Sequence, residues 1–209
     1  MSIEAGKPAG LRERKKLETR IALGWAAIRL TVERGFDAVR VEDIAAEAGV
    51  SPRTFNNYFS SKAEAVAARH LDRARMIAEE LRARPASEPL WEAVANAVMA
   101  RFGLTQETRG AGTSDQQWIT GLRLMMTEPA LQGEFMKAGA LAEFELAAAV
   151  AERTGTDVER DLYPRLVAGA VWAAITVVTD HWLHADPPVA IVPLLRDALH
   201  QLAAGLPVP

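Results

Sequence analysis

The chain is 209 residues long, 49% hydrophobic and 24% charged, with no cysteine. That is room for two closely packed helical domains, and it excludes disulfides, thiolate metal sites and cysteine nucleophiles. The formal net charge of −3 is unevenly spread: residues 1–62 carry 11 Lys/Arg against 8 Asp/Glu (+3), and residues 63–209 carry 13 against 19 (−6), the footprint of a basic head that meets nucleic acid.

The opening MSIEAGKPAGLRERKK has no apolar stretch of the signal-peptide kind, so a cytoplasmic location is expected. Residues 1–10 read as a flexible arm. A first helix follows from about Leu11 to Arg34, with Leu23, Ala27 and Leu30 on one face, and stops at Gly35. A short helix, Glu42 to Ala48, ends at Gly49. Another starts at Ser51-Pro52, where serine caps and proline suits the first turn, and runs out at Tyr58-Phe59. A long helix from Lys62 to Arg84 ends before Pro85.

Further helices are predicted near 88–103, 114–126, 129–154, 160–184 and 190–204, with Thr105–Thr113 as a loop. No stretch alternates as a strand would. The expected fold is therefore all-α with about nine helices. The expected division is 1–62, an N-terminal arm with a helix-turn-helix, and 63–209, a helical body. The longest apolar run, Leu166–Val178, is 13 residues and short of a bilayer crossing.

Residues 35–66 carry the functional signal. Two short helices joined by a glycine-containing turn match helix-turn-helix spacing. Val41, Ile44 and Ala45 supply a buried face, and Val50 and Phe55 close the angle between the two helices. Ser51, Arg53, Thr54, Asn56 and Asn57 give the second helix donors suited to phosphates and base edges. Tyr58 and Lys62 add a phenolic hydroxyl and a cation for the sugar-phosphate backbone.

The run resembles the reading head of the tetracycline-repressor (TetR) family. The shared positions are Gly35, Phe36, Ile44, Ala45, Gly49, Val50, Ser51, Thr54, Phe55, Tyr58, Phe59, Ser61 and Lys62. Two positions depart from the pattern. Arg40 stands where a capping Thr or Ser is frequent and offers a phosphate contact instead; Thr31 stands where a bulky aromatic is usual. The cations Arg12, Arg14, Lys15, Lys16 and Arg20 together suggest a basic extension reaching a DNA groove or backbone, while each one taken singly reads as part of a solvated helix face.

The resemblance implies a homodimer joined through the last two helices of each chain, on a palindromic double-stranded operator. It further implies a repressor released by a small apolar effector, with no cofactor, metal or membrane. Ala168, Gly169, Ala173 and Ala174 are the small residues expected to let helices approach at the dimer contact. The pocket candidates are Trp91, Trp118, Arg123, Met125, Phe144 and Trp172, with Arg123 placed to meet an acidic group. Asp180, His181 and His184 sit at a helix C-terminus, where the macrodipole favours histidine, and the i, i+3 spacing is wrong for a zinc helix. An enzyme is not expected. The alternative reading is a helical small-molecule carrier or enzyme with a vestigial head.

Overall fold

A computed structural model describes residues 9–102, 123, 126–187 and 189–208. Among them are eight helices and no strand: α1 (Ala9–Arg34), α2 (Val41–Glu47), α3 (Pro52–Asn56), α4 (Lys62–Ala83), α5 (Leu90–Phe102), α6 (Pro129–Thr154), α7 (Leu162–His184) and α8 (Ile191–Ala203). The all-α expectation holds. The helix expected near 114–126 and the loop at 105–113 lie outside the described residues, apart from Arg123 and Met126.

The head forms where local chemistry stops each helix. In α1, Leu23, Ala26, Ala27 and Leu30 recur at helical spacing and are buried. The helix ends as Gly35 turns to φ +81° and donates its N–H to the Thr31 carbonyl at 2.9 Å. After α2, Gly49 takes φ +69°; its N–H bonds the Ala46 carbonyl (3.0 Å) and the Val50 N–H bonds that of Ala45 (2.9 Å). This paired closure satisfies carbonyls that the helix end would otherwise leave open.

The Ser51 hydroxyl then accepts the Thr54 N–H at 3.1 Å, starting α3 with Pro52 in its first turn. Ser61 starts α4 in the same way through the Glu64 N–H at 3.0 Å. The Glu64 carboxylate reaches back to the Ser60 N–H and hydroxyl, both at 2.7 Å. Phe55 and Phe59, buried with ring centroids 5.7 Å apart, fill the angle between these elements.

Among the described residues there are two large cores and a small third cluster of Ala67, Leu71 and Ala138, and α4 contributes to all three. The head core takes in Ala65, Val66 and Ala68 of α4, and also Leu131 of α6. Farther along, Ile77, Ala78 and Leu81 of α4 join α5, α6, α7 and α8 in the body core. On the outer edge, Arg75–Glu145 (3.0 Å) and Arg82–Glu152 (2.7 Å) bridge α4 to α6. Such exposed pairs stabilise by at most about 1 kcal/mol each, so buried apolar surface holds the body together.

Helix α7 has two apolar faces. Val167, Ala168, Val171 and Val178 are buried in the body, whereas Leu162, Tyr163, Leu166 and Val177 form an exposed stripe on the other side. The 13-residue run noted above lies within a 23-residue helix that is long and apolar enough, by length and composition alone, to cross a membrane. The run length therefore understated the helix, because apolar residues continue past the polar Thr179 and Asp180 and before Arg165. One of the small residues expected at the dimer contact, Ala168, is instead fully buried within its own chain.

Candidate nucleic-acid interface and effector pocket

The head presents one polar surface. Arg53, Asn56 and Asn57 are exposed along α3, while Phe55 on the opposite side is fully buried. Ser51 is exposed and Thr54 half-buried; their hydroxyls bond each other at 2.9 Å, so part of their hydrogen-bonding capacity serves the helix start. Tyr58 is half-buried against the head core, and Phe59 is buried within it.

Arg40 is exposed at the start of α2. An arginine side chain has no acceptor and cannot cap, so the cap is supplied from the other direction: the Asp43 carboxylate accepts the Arg40 backbone N–H at 2.9 Å. The guanidinium stays at the surface. Thr31, the second departure from the family pattern, is buried in α1.

Two expected DNA cations are turned inward. The Lys62 ammonium donates to the carbonyls of Phe36 (2.6 Å) and Val39 (3.0 Å) and lies 4.2 Å from the Phe36 ring centroid. It ties the start of α4 to the turn between α1 and α2, and only one of its three N–H groups is left over. The Arg20 guanidinium donates to Asp72 at 3.1 Å and stacks 4.7 Å from the Phe59 ring. By contrast Arg12, Arg14, Lys15 and Lys16 are exposed, with Arg14 3.5 Å from Glu18 in a solvated i, i+4 pair.

A cavity lies behind the head, between α4, α5, α6 and α7. Its walls include Ile77, Phe102, Leu146, Val171, Trp172 and Ile175, and its polar groups are His70, Arg73 and Glu143. As it stands, its volume is about 20 Å³, enough for a single water-sized group. Any larger occupant must spread these helices. The His70 ring meets Phe135 edge-on at 4.7 Å and Trp172 at 6.3 Å. Burial first, then the charges of Arg73 and Arg69, push the His70 imidazole down to about 3, so it is neutral near pH 7. Arg73 stacks 4.5 Å over Phe102. Burial and then the charge of Arg69 lower its pKa to about 10, which still leaves it cationic.

Of the expected pocket residues, Trp172 lines this cavity. Gly139 makes room for it, since a Cβ there would come within 3.1 Å of the indole. Trp91 packs half-buried against the body core. Phe144, with half of its surface exposed, points away from the cavity, one residue round the helix from Glu143. Arg123 is committed elsewhere: its guanidinium donates to the Leu183 carbonyl near the end of α7, satisfying an orphan acceptor there. Trp118 and Met125 lie outside the described residues. His70 and Arg73 had no place in the sequence reading. They lie in a mostly polar stretch of α4, Arg69 to Arg75, where nothing in the order of residues separates the cavity-facing pair from its neighbours. His184 Nδ1 lies 2.8 Å from the Asp180 carbonyl on an exposed helix end.

A helix-turn-helix with an open polar face on α3, carried by a helical body with a partly open cavity, defines a DNA-binding transcriptional regulator. Residues 25–68 match the bacterial regulatory proteins of the tetR family, and residues 88–207 match the MftR C-terminal domain of the same kind of regulator. The chain belongs to the TetR family of transcriptional regulators. The HTH-type transcriptional regulator TcmR of Streptomyces glaucescens is 33% identical over 180 residues, which is 85% of this chain and 79% of that protein. The fatty acid degradation regulator FadR from Bacillus halodurans superposes with a TM-score of 0.57 at 17% identity, over 99% of this chain and 100% of that one. SmeT, the repressor of the Stenotrophomonas maltophilia multidrug efflux pump SmeDEF, gives 0.55 at 20% identity, over 91% and 93%. At those identities the likeness to the two structures is one of fold.

Proposed function

We propose that the protein is a cytoplasmic, dimeric repressor that leaves a palindromic operator when a small, largely apolar molecule enters the body cavity. The observation that carries this reading is the arrangement of α4. Ala65, Ala68, Arg69 and Asp72 face the head, while His70, Arg73, Ala74 and Ile77 face the cavity on the far side of the same helix. An occupant that spreads the cavity therefore displaces the helix against which the head is packed.

In this reading α3 enters the major groove, with Arg53, Asn56 and Asn57 toward base edges. Arg40, Ser51, Thr54, Tyr58 and the exposed cations of α1 face phosphates. Lys62 acts mainly by holding α4 to the preceding turn. The exposed stripe Leu162, Tyr163, Leu166 and Val177 on α7, with neighbouring α8, is the surface for the second copy. Apolar area of this kind favours association by about 25 cal/mol per Å² removed from water.

Release follows from differential affinity: the effector binds the spread body more tightly than the contracted one, and a hundredfold preference shifts the equilibrium by about 2.7 kcal/mol per site. The test is fluorescence anisotropy with the DNA upstream of the protein's own gene, titrated with salt and with unrelated DNA. Tight, sequence-selective binding that weakens linearly in log salt supports the reading. Equal affinity for both DNAs overturns it in favour of a carrier with a vestigial head.

A further inference from the structure

The cavity holds a cation, Arg73, that makes no ion pair among the described residues. Arg73 reaches it from α4, and among the described residues its close partner is the face of the Phe102 ring, not a carboxylate. The neighbouring cation, Arg69, has Asp72 3.6 Å away on the head side of α4. Glu143 stands on the α6 wall, beyond ion-pair distance of Arg73. A half-buried guanidinium whose close partner among the described residues is an aromatic face is incompletely compensated for its lost hydration. The imidazole beside it is neutral and adds no competing cation.

Resting on the reading of this cavity as the effector site, we propose that the effector is an amphiphilic monoanion whose acid group pairs with Arg73 and whose apolar body lies against Trp172, Val171, Ile175 and Leu146. An acid group there restores the missing counter-charge, and the planar guanidinium fork is shaped to take a carboxylate in two parallel hydrogen bonds. Phe102 keeps the guanidinium plane fixed from the other side. Glu143 discriminates against a second negative charge on the apolar portion of the ligand, because a carboxylate on that wall repels it while leaving a hydroxyl free to donate. Since the contracted cavity holds little more than a water, the apolar body provides the spreading and the acid provides the selectivity.

The experiment compares acids with uncharged counterparts of the same shape: decanoate against decan-1-ol, and 2-naphthoate against 2-naphthalenemethanol. Binding is read by tryptophan quenching and by the shift in Tm, on the wild-type dimer, Arg73→Gln and Arg73→Lys. The expected result is a preference for each acid of at least about tenfold, abolished in Arg73→Gln with the alcohols still bound, and partly kept in Arg73→Lys. Alcohols that bind the wild type as tightly as the acids overturn the anion while leaving the cavity as the effector site. An acid preference that survives in Arg73→Gln does the same. If neither acids nor alcohols bind the wild type, the effector reading of the cavity falls and the anion falls with it. The wild-type comparison stands alone should Arg73→Gln fail to fold.

Discussion

Arg20 on α1 donates its Nε–H to Asp72 on α4 at 3.1 Å, and Asp72 is nearly inaccessible to water. This pair, together with Arg69 stacked 4.8 Å over Trp25, fastens the head's first helix to the side of α4 turned away from the cavity. Apolar packing around Ala65 and Ala68 does not fix the sliding of one helix along another; a directional pair at this point does.

Asp72→Asn leaves Arg20 and Arg69 without a buried counter-charge. Removing one partner of such a pair costs about 3–5 kcal/mol. Because Arg20 is partly exposed and can turn to water, the lower end, about 3 kcal/mol, is expected in urea unfolding. A loss below 1 kcal/mol would mean that the contact is incidental. Operator affinity of the folded fraction is expected to fall as well, since the head loses its alignment on α4.

Lys62→Ala and Arg53→Ala are expected to separate. Lys62 holds two backbone carbonyls, so its loss lowers Tm by several degrees, on the scale of about 1–3 kcal/mol for orphaned buried acceptors. The salt slope of DNA binding stays close to the wild-type value. Arg53→Ala leaves Tm unchanged and relaxes base preference, by about 1–3 kcal/mol for each lost bidentate contact. A reduced salt slope with an intact Tm for Lys62→Ala would restore that lysine to the phosphate backbone.

The α7 stripe gives a prediction about assembly. Leu166 and Val177 are 58% and 67% exposed and lie three turns apart on one side of the helix. Glutamate at both positions places two charges at the centre of the expected contact. Sedimentation equilibrium is expected to find the wild type dimeric and the double variant monomeric at micromolar concentration, with helical content retained. A wild-type monomer at that concentration would move the dimer contact elsewhere.

His70 makes stability fall in acid. The unfolded chain takes up this proton near 6.5 and the folded protein only near 3. Between those values the unfolded state binds more protons, so stability rises with pH across the window and levels off above about 6.5. The slope from this one group approaches about 1.4 kcal/mol per pH unit. In urea unfolding at pH 7 and pH 5, His70→Gln is expected to lose less stability than the wild type; an equal loss in both would assign the acid sensitivity to other groups.

The head was legible in the sequence because its determinants are local. Gly35, Gly49, Ser51 and Ser61 each end or start a helix through atoms within five residues, and the order of residues therefore displays them. The direction of a long side chain is not local. Lys62 and Arg20 look like surface cations in the sequence, and only the fold brings the Phe36 and Val39 carbonyls to one and Asp72 to the other. The cavity was the least legible part. Its walls come from four helices spread over more than a hundred positions, and two of the large aromatic residues that suggest a pocket in the sequence, Trp91 and Phe144, face elsewhere. The polar pair that distinguishes the site lies on α4, where residues serving the head and residues serving the cavity alternate.

Helix α4 runs unbroken from Lys62 to Ala83, and its first turns are part of the head's interior. A reading head exchanged between relatives at residue 62 would arrive without Ala65, Val66 and Ala68, with an open apolar face where α4 had been. The smallest portable unit extends through Asp72, and the recipient body must then accept a junction inside a continuous helix, in register, with His70 already supplied by the donor and Arg73 by the recipient. For this architecture, DNA specificity and ligand specificity are inherited through one shared helix, and a transplant of the first carries part of the second with it.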